Sequence, residues 1–234
     1  MRGDAGSIHY SAMSVRVKIC GITNLDDALA AAEAGADYLG FIVWEGSKRA
    51  VDTAAVAAIA RTLHERGKAP LLVGVFVNET AKEAAAILDR CRLDLAQLSG
   101  DEPPADVGDP ASPLYGRAYK ALRPVSLAEA EAEAEWYEAP KLAEGQPALL
   151  LDTYHPTLRG GTGETGDWAV AARLAAQVPR LMLAGGLTPD NVSLAVQQVR
   201  PYAVDVASGV EAAPGKKDGE RVGAFVRNAR QALL

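Results

Sequence analysis

Short runs of leucine and β-branched residues alternate with alanine-rich stretches of helical period from one end of this chain to the other. The runs predict strands over 15–20, 38–43, 71–77, 93–98, 119–122, 149–152, 181–184 and 203–207. Between and after them the spacing predicts helices over 27–34, 53–63, 82–91, 127–137, 168–177, 191–199 and 220–234. After the fourth strand, a proline-rich stretch over 103–113 allows only a short or irregular helix, because proline removes a backbone donor. Eight strand–helix units predict an α/β fold, a single (β/α)8 barrel of eight parallel strands, with an open doubly wound sheet as the alternative. No linker interrupts the alternation, so residues 15–234 read as one domain. Residues 1–14 read as a disordered extension, and Met13 is a candidate start.

Composition removes several function classes. The net charge is −6, with no basic stripe and only 6% aromatic residues, so nucleic-acid binding is not expected. No apolar run reaches the length of a membrane span. Two cysteines cannot build a disulfide framework, and the chain reads as cytoplasmic, with both kept reduced. The three histidines (His9, His64 and His155) lack ligand spacing, so neither a metal nor another cofactor is expected. An anionic substrate must then be held by local dipoles and a few cations, against the global charge.

Barrels of this kind place their active sites at the C-terminal ends of the strands. Strand one ends in Lys18-Ile19-Cys20 before the turn Gly21-Ile22-Thr23, and strand six ends in Asp152 after three leucines. A lone cysteine is more often a small core residue than a reactive one. Cys20 and Asp152, however, stand on strands that are not neighbours, so they would approach a bound molecule from different sides. That suits removal of a proton at one atom and donation at another. Three glycine-rich loops follow strands six, seven and eight. They are Gly160-Gly161-Thr162-Gly163, Gly185-Gly186-Leu187 and Ser208-Gly209-Val210-Glu211. Glycine lets the backbone approach an oxyanion, and converging N–H groups form a phosphate cradle.

Strand alternation adds a pair. Residues two apart share a face, so an inward Cys20 implies an inward Lys18. Closure of the barrel would bring strand eight, with Asp205, beside it. A buried Lys18–Asp205 pair is expected, either stabilising a Cys20 thiolate or only holding the barrel together. Gln97 reads equally as a substrate neighbour or as barrel filling. Cys91 reads as core, His155 as a solvated loop residue, and the glutamate-rich 129–138 as a wet helix face.

Lys18-Ile19-Cys20-Gly21-Ile22-Thr23 resembles the opening signature of the phosphoribosylanthranilate isomerase family of tryptophan biosynthesis. Leu39-Gly40-Phe41-Ile42 with Ser47-Lys48-Arg49, and Gln97-Leu98-Ser99-Gly100-Asp101-Glu102, resemble its second and fourth strand-end motifs. Leu151-Asp152-Thr153, Thr188-Pro189-Asp190-Asn191-Val192, the stretch 204–211 and Pro214-Gly215-Lys216-Lys217-Asp218 complete a likeness that spans 15 to about 230. It implies an Amadori rearrangement of a small phosphosugar, with Cys20 as general base and Asp152 as general acid. It also implies that Arg49 holds the anthranilate carboxylate and that Gly161, Thr162, Gly163, Gly185, Gly186, Ser208 and Gly209 hold the phosphate. Monomers and homodimers both occur in the family.

That chemistry asks Asp152 to keep its proton, which desolvation would favour, and Cys20 to lose its own, so its surroundings should favour the thiolate. Two departures stand out. Ser99 occupies the place of the family's usual histidine and cannot act as an imidazole. Ser47-Lys48-Arg49 replaces the frequent Ser-Pro-Arg, loosening the loop and adding a positive charge. Rival readings are weaker. An indole-glycerol-phosphate synthase type would need a lysine at the end of strand three, where Phe76-Val77-Asn78 stands. A histidine-pathway isomerase type would carry aspartate in place of Cys20 and a twofold repeat. A non-catalytic phosphosugar-binding paralogue would not be expected to retain both Cys20 and Asp152.

Overall fold

The computed structural model describes residues 15–67, 70–153 and 168–233. Eight parallel strands close into one barrel: β1 (Arg16–Cys20), β2 (Tyr38–Ile42), β3 (Leu71–Phe76), β4 (Leu95–Leu98), β5 (Ala118–Leu122), β6 (Leu149–Asp152), β7 (Leu181–Ala184) and β8 (Ala203–Val206). The ring is sealed by β8 pairing with β1, in a register that sets Lys18 opposite Asp205. Helices α1 (Leu25–Glu33), α2 (Thr53–Glu65), α3 (Ala81–Cys91), α4 (Ala105–Gly108), α5 (Leu127–Trp136), α6 (Trp168–Gln177), α7 (Val192–Val199) and α8 (Gly219–Gln231) lie outside it. The (β/α)8 barrel expected from the alternation is therefore formed, and the open sheet is not.

Near-continuous apolar strands suit a sheet covered on both faces. Tyr38, Val73, Leu95, Tyr119, Leu150, Met182 and Ala203 fill the barrel, while a larger shell that includes Ile19, Leu39, Phe41, Leu88 and Phe225 packs the strands against the helices. Cys91 is buried in that outer shell, as its place in the helix suggested. Several helix starts are set by side chains that accept from exposed backbone N–H groups. Asn24 caps α1 through Asp27 N, Asp52 caps α2, Thr80 and Glu83 form a reciprocal capping box on α3, and Asp218 caps α8.

Where element boundaries differ from the sequence expectation they move by one to three residues, the largest shift being the end of α8 at Gln231. The region after β4 is reduced to the four residues of α4, following Pro103 and Pro104. One feature had no forewarning. After β8 the chain makes a 3-10 turn over Ser208–Val210 and then an antiparallel hairpin, β9 (Glu211–Ala213) and β10 (Lys216–Lys217). Among the described residues no helix is long and apolar enough to cross a membrane. The extension expected over 1–14, His155 and the Gly160–Gly163 loop lie outside the described residues.

Candidate active site

Cys20 closes β1 at the C-terminal rim, 5% exposed, and Lys18 lies one pleat deeper, fully buried. Both crowd Gly40 on β2, where a Cβ would stand 2.7 Å from Cys20 Sγ and 3.2 Å from Lys18 Cε. Any larger residue there would force the thiol to shift. The pair expected between Lys18 and Asp205 is formed, with Nζ 2.9 Å from Oδ1. Lys18 Nζ also donates to Gln97 Oε1 at 2.8 Å, and the Tyr119 hydroxyl donates to the same oxygen at 3.0 Å. Gln97 therefore points into the barrel, and its Nε2 donates to Ser99 Oγ at 3.1 Å.

Burial would lower the Lys18 ammonium, but the charges of Asp205, Cys20 and Tyr119 outweigh it and hold it above its ordinary value. Burial pushes the Cys20 thiol up, Lys18 pulls it down, Asp205 pushes it up again and Lys217 pulls it down; the balance lies above the usual thiol range. This corrects the expectation that the surroundings favour the thiolate. In the unliganded chain desolvation wins, and the nearby cations only limit its effect.

Arg49 brings its stem over Gly21, directly after Cys20. Its Nε and Nη2 donate to Glu211 Oε1 and Oε2 at 2.7 and 2.8 Å, a two-point contact along one edge of the guanidinium. Glu211 is also reached by Lys217 Nζ at 2.9 Å, and Lys217 N donates to Asp27 Oδ2 at 2.7 Å. The hairpin after β8 is thereby tied to the first turn of α1 and to Arg49 in the loop after β2. Burial would raise the Glu211 carboxyl, but hydrogen bonds from Arg49 and Lys217 hold it below its ordinary range. Lys18, Asp205 and Lys217 are the charges that act on the thiol, and Arg49 and Glu211 pair beside them. Lys48 is exposed, while the Arg49 N–H is held by Ser47 Oγ at 3.1 Å despite the missing proline.

Asp152 ends β6 on the same rim. Its side chain is 26% exposed, and Oδ2 lies 3.4 Å from Arg123 Nε. Gly185 and Gly186 follow β7 with φ of 101° and 64°. A Cβ on Gly209 would collide with Leu187 O, so the loops after β7 and β8 interlock only because that residue is glycine. Gly161, Thr162 and Gly163 lie outside the described residues.

Ser99 is held by a clamp that sequence reasoning did not anticipate. The Glu102 carboxylate accepts from Asn78 N at 2.9 Å, from Gly100 N at 3.0 and 2.9 Å, and from Lys120 Nζ at 2.7 Å. Tyr119, Glu211 as the partner of Arg49, and Lys217 were missed as well. Most of their contacts join segments far apart in sequence, such as Arg49 with Glu211 and Tyr119 with Gln97, which no local pattern marks.

The family model for N-(5′-phosphoribosyl)anthranilate (PRA) isomerase matches residues 17–228. The N-(5′-phosphoribosyl)anthranilate isomerase of Trichlorobacter lovleyi is 44% identical over 219 residues, covering 94% of this chain and 100% of the relative. The crystal structure of phosphoribosyl anthranilate isomerase from Thermotoga maritima matches with a TM-score of 0.77 and 37% identity, covering 93% of this chain and 99% of that one. A complex of such an isomerase with reduced 1-(o-carboxyphenylamino)-1-deoxyribulose 5-phosphate matches with a TM-score of 0.77 and 36% identity, over 93% of this chain and 99% of its own.

Proposed function

Because the chain belongs to the N-(5′-phosphoribosyl)anthranilate isomerase family, we propose that Cys20 and Asp152 divide the proton transfers of its reaction between them. The reaction is the isomerisation of phosphoribosylanthranilate in tryptophan biosynthesis. It is an internal rearrangement in which C1′ of the sugar is reduced and C2′ oxidised, with no change in composition.

Asp152 protonates the ring oxygen, and the C1′–O bond breaks to leave an iminium between C1′ and the anthranilate nitrogen. Cys20, as thiolate, takes the C2′ proton, and the electrons of that bond move toward nitrogen to give an enaminol. Return of a proton to C1′ and loss of one from the C2′ hydroxyl give the aminoketose. Lys18 and Lys217 support the second step, because their charges oppose the effects of burial and of Asp205 on the thiol. Glu211 occupies the Nε/Nη2 edge of Arg49, so the Nη1/Nη2 edge is the one suited to a two-point contact with the anthranilate carboxylate. Gly185, Gly186, Ser208 and Gly209, with Gly161, Thr162 and Gly163, serve the phosphate, whose binding energy holds the reacting carbons at the rim.

The observation that carries this reading is the seat of Cys20, shaped by Gly40 and underlain by the Lys18–Asp205 pair. Turnover of phosphoribosylanthranilate generated in situ tests it. Cys20→Ala and Asp152→Asn should each lower kcat by about 10²–10⁴-fold with the fold intact. A folded Cys20→Ala enzyme with native turnover would remove the thiolate from the mechanism.

A further inference from the structure

The hydrogen bonds inside the barrel run in one direction, and that direction can be read without seeing a proton. An ammonium has donors only, so Lys18 requires an acceptor at each partner. Its 2.8 Å contact therefore identifies the Gln97 atom as the carbonyl oxygen, which agrees with the assignment of Oε1 there. The same oxygen takes the Tyr119 hydroxyl at 3.0 Å, so Tyr119 also donates. With Oε1 fixed by two donors, the amide nitrogen of Gln97 must face the other way, and it lies 3.1 Å from Ser99 Oγ. An amide N–H only donates, so Ser99 Oγ accepts there, and its own proton is directed elsewhere.

Ser99 is the first residue past β4 on the rim that carries Cys20 and Asp152, and it is half-buried. Its backbone is not free to turn. Ser99 N donates to Phe76 O at 2.8 Å, and Gly100 is gripped on its N–H by Glu102 and on its carbonyl by Lys120 Nζ at 2.5 Å. The Glu102–Lys120 pair is buried on both sides, with side-chain exposures of 1% and 5%. With the backbone clamped and Oγ accepting from Gln97, the hydroxyl proton is left to serve an acceptor other than Gln97.

We infer that Ser99 donates a hydrogen bond to an oxygen of the bound aminosugar phosphate, and that Lys18 and Tyr119, acting through Gln97, set the direction in which it donates. The inference rests on the isomerase reading of this rim. It gives the serine that replaces an imidazole a neutral role, in binding and orientation, with no proton transferred. Gln97 is then a positioning residue, and its amide nitrogen is spent on Ser99.

The test uses affinity for the reduced aminoketose 5-phosphate analogue, measured by calorimetry on the full chain. Ser99→Ala should weaken binding roughly 3- to 10-fold, the usual worth of one hydrogen bond, and Ser99→Thr should restore it. Gln97→Glu puts an acceptor where the amide nitrogen stood, so Ser99 would turn its proton inward. That variant should lose affinity about as much as Ser99→Ala, and adding it to Ser99→Ala should cost less than about 2-fold more. Unchanged affinity in Ser99→Ala overturns the donor. Fully additive losses overturn the relay through Gln97, and if Gln97→Glu does not fold, the alanine and threonine variants still decide the donor. The acid–base roles of Cys20 and Asp152 fail or stand on turnover, which this binding measurement does not use.

Discussion

Replacing Lys18 by methionine keeps an unbranched stem of similar shape, shorter by the terminal atom, and removes its charge and its donors. Two consequences can be separated. The first is stability: Lys18 is fully buried against Asp205 and Gln97, so the variant leaves a buried carboxylate without its partner. Breaking such a pair costs about 3–5 kcal/mol. For a chain of this size that corresponds to a fall in Tm of about 6–20 °C. The second is the thiol. Lys18 Cε and Cys20 Sγ crowd the same point beside Gly40, and the Lys18 charge opposes the effect of burial on the thiol. Without that charge, burial and Asp205 remain, and both raise the thiol. Cys20 in Lys18→Met should therefore titrate well above its native position, and the alkaline rise of kcat/KM should move with it. The rate of alkylation against pH, with mass spectrometry separating Cys20 from Cys91, reads the shift directly. Adding Asp205→Asn should recover most of the lost Tm, because no lone carboxylate remains, and should bring the thiol limb part of the way back, because the charge that raised it is gone. A folded Lys18→Met chain with an unchanged Cys20 titration would refute the link and leave the pair a purely structural one.

Three further outcomes follow from the same geometry. Gly40→Ala sets a methyl group 2.7 Å from Cys20 Sγ; it should cost about 1–3 kcal/mol by chemical denaturation and lower kcat far more than it raises KM. Glu211→Gln releases one edge of Arg49 and weakens its hold on Lys217, so KM should rise. Its pH dependence has a defined sign. The Glu211 carboxyl sits below its ordinary value of 4.5, so its stabilisation is present above that pH and is lost as the pH falls through the lower folded value. The Tm gap between native and Glu211→Gln should narrow below pH 4.5, and a gap that widens there contradicts the assignment.

The order of elements was legible because it rests on local chemistry. Apolar runs and alanine-rich helical spacing each act within a few residues of themselves. The Lys18–Asp205 pair was legible too, for a topological reason: a closed eight-strand ring must put β8 beside β1, and pleat alternation then aligns inward residues. Cys20 and Asp152 stood out because strand ends can be counted.

What the sequence could not disclose depends on loops and on distances across the ring. Arg49 and Glu211 are 162 positions apart and meet only because a hairpin after β8 folds back over the mouth. Nothing local marks Gln97 as the hub between Lys18, Tyr119 and Ser99, since its partners come from β1, β5 and the rim. The protonation balance at Cys20 likewise had to await the folded chain. Burial and the opposing charges around the thiol arise from separate strands and loops, and their sum exists only when the barrel is closed. The chain's local chemistry determined which elements form and in what order; closure of the barrel decided which charged groups became neighbours.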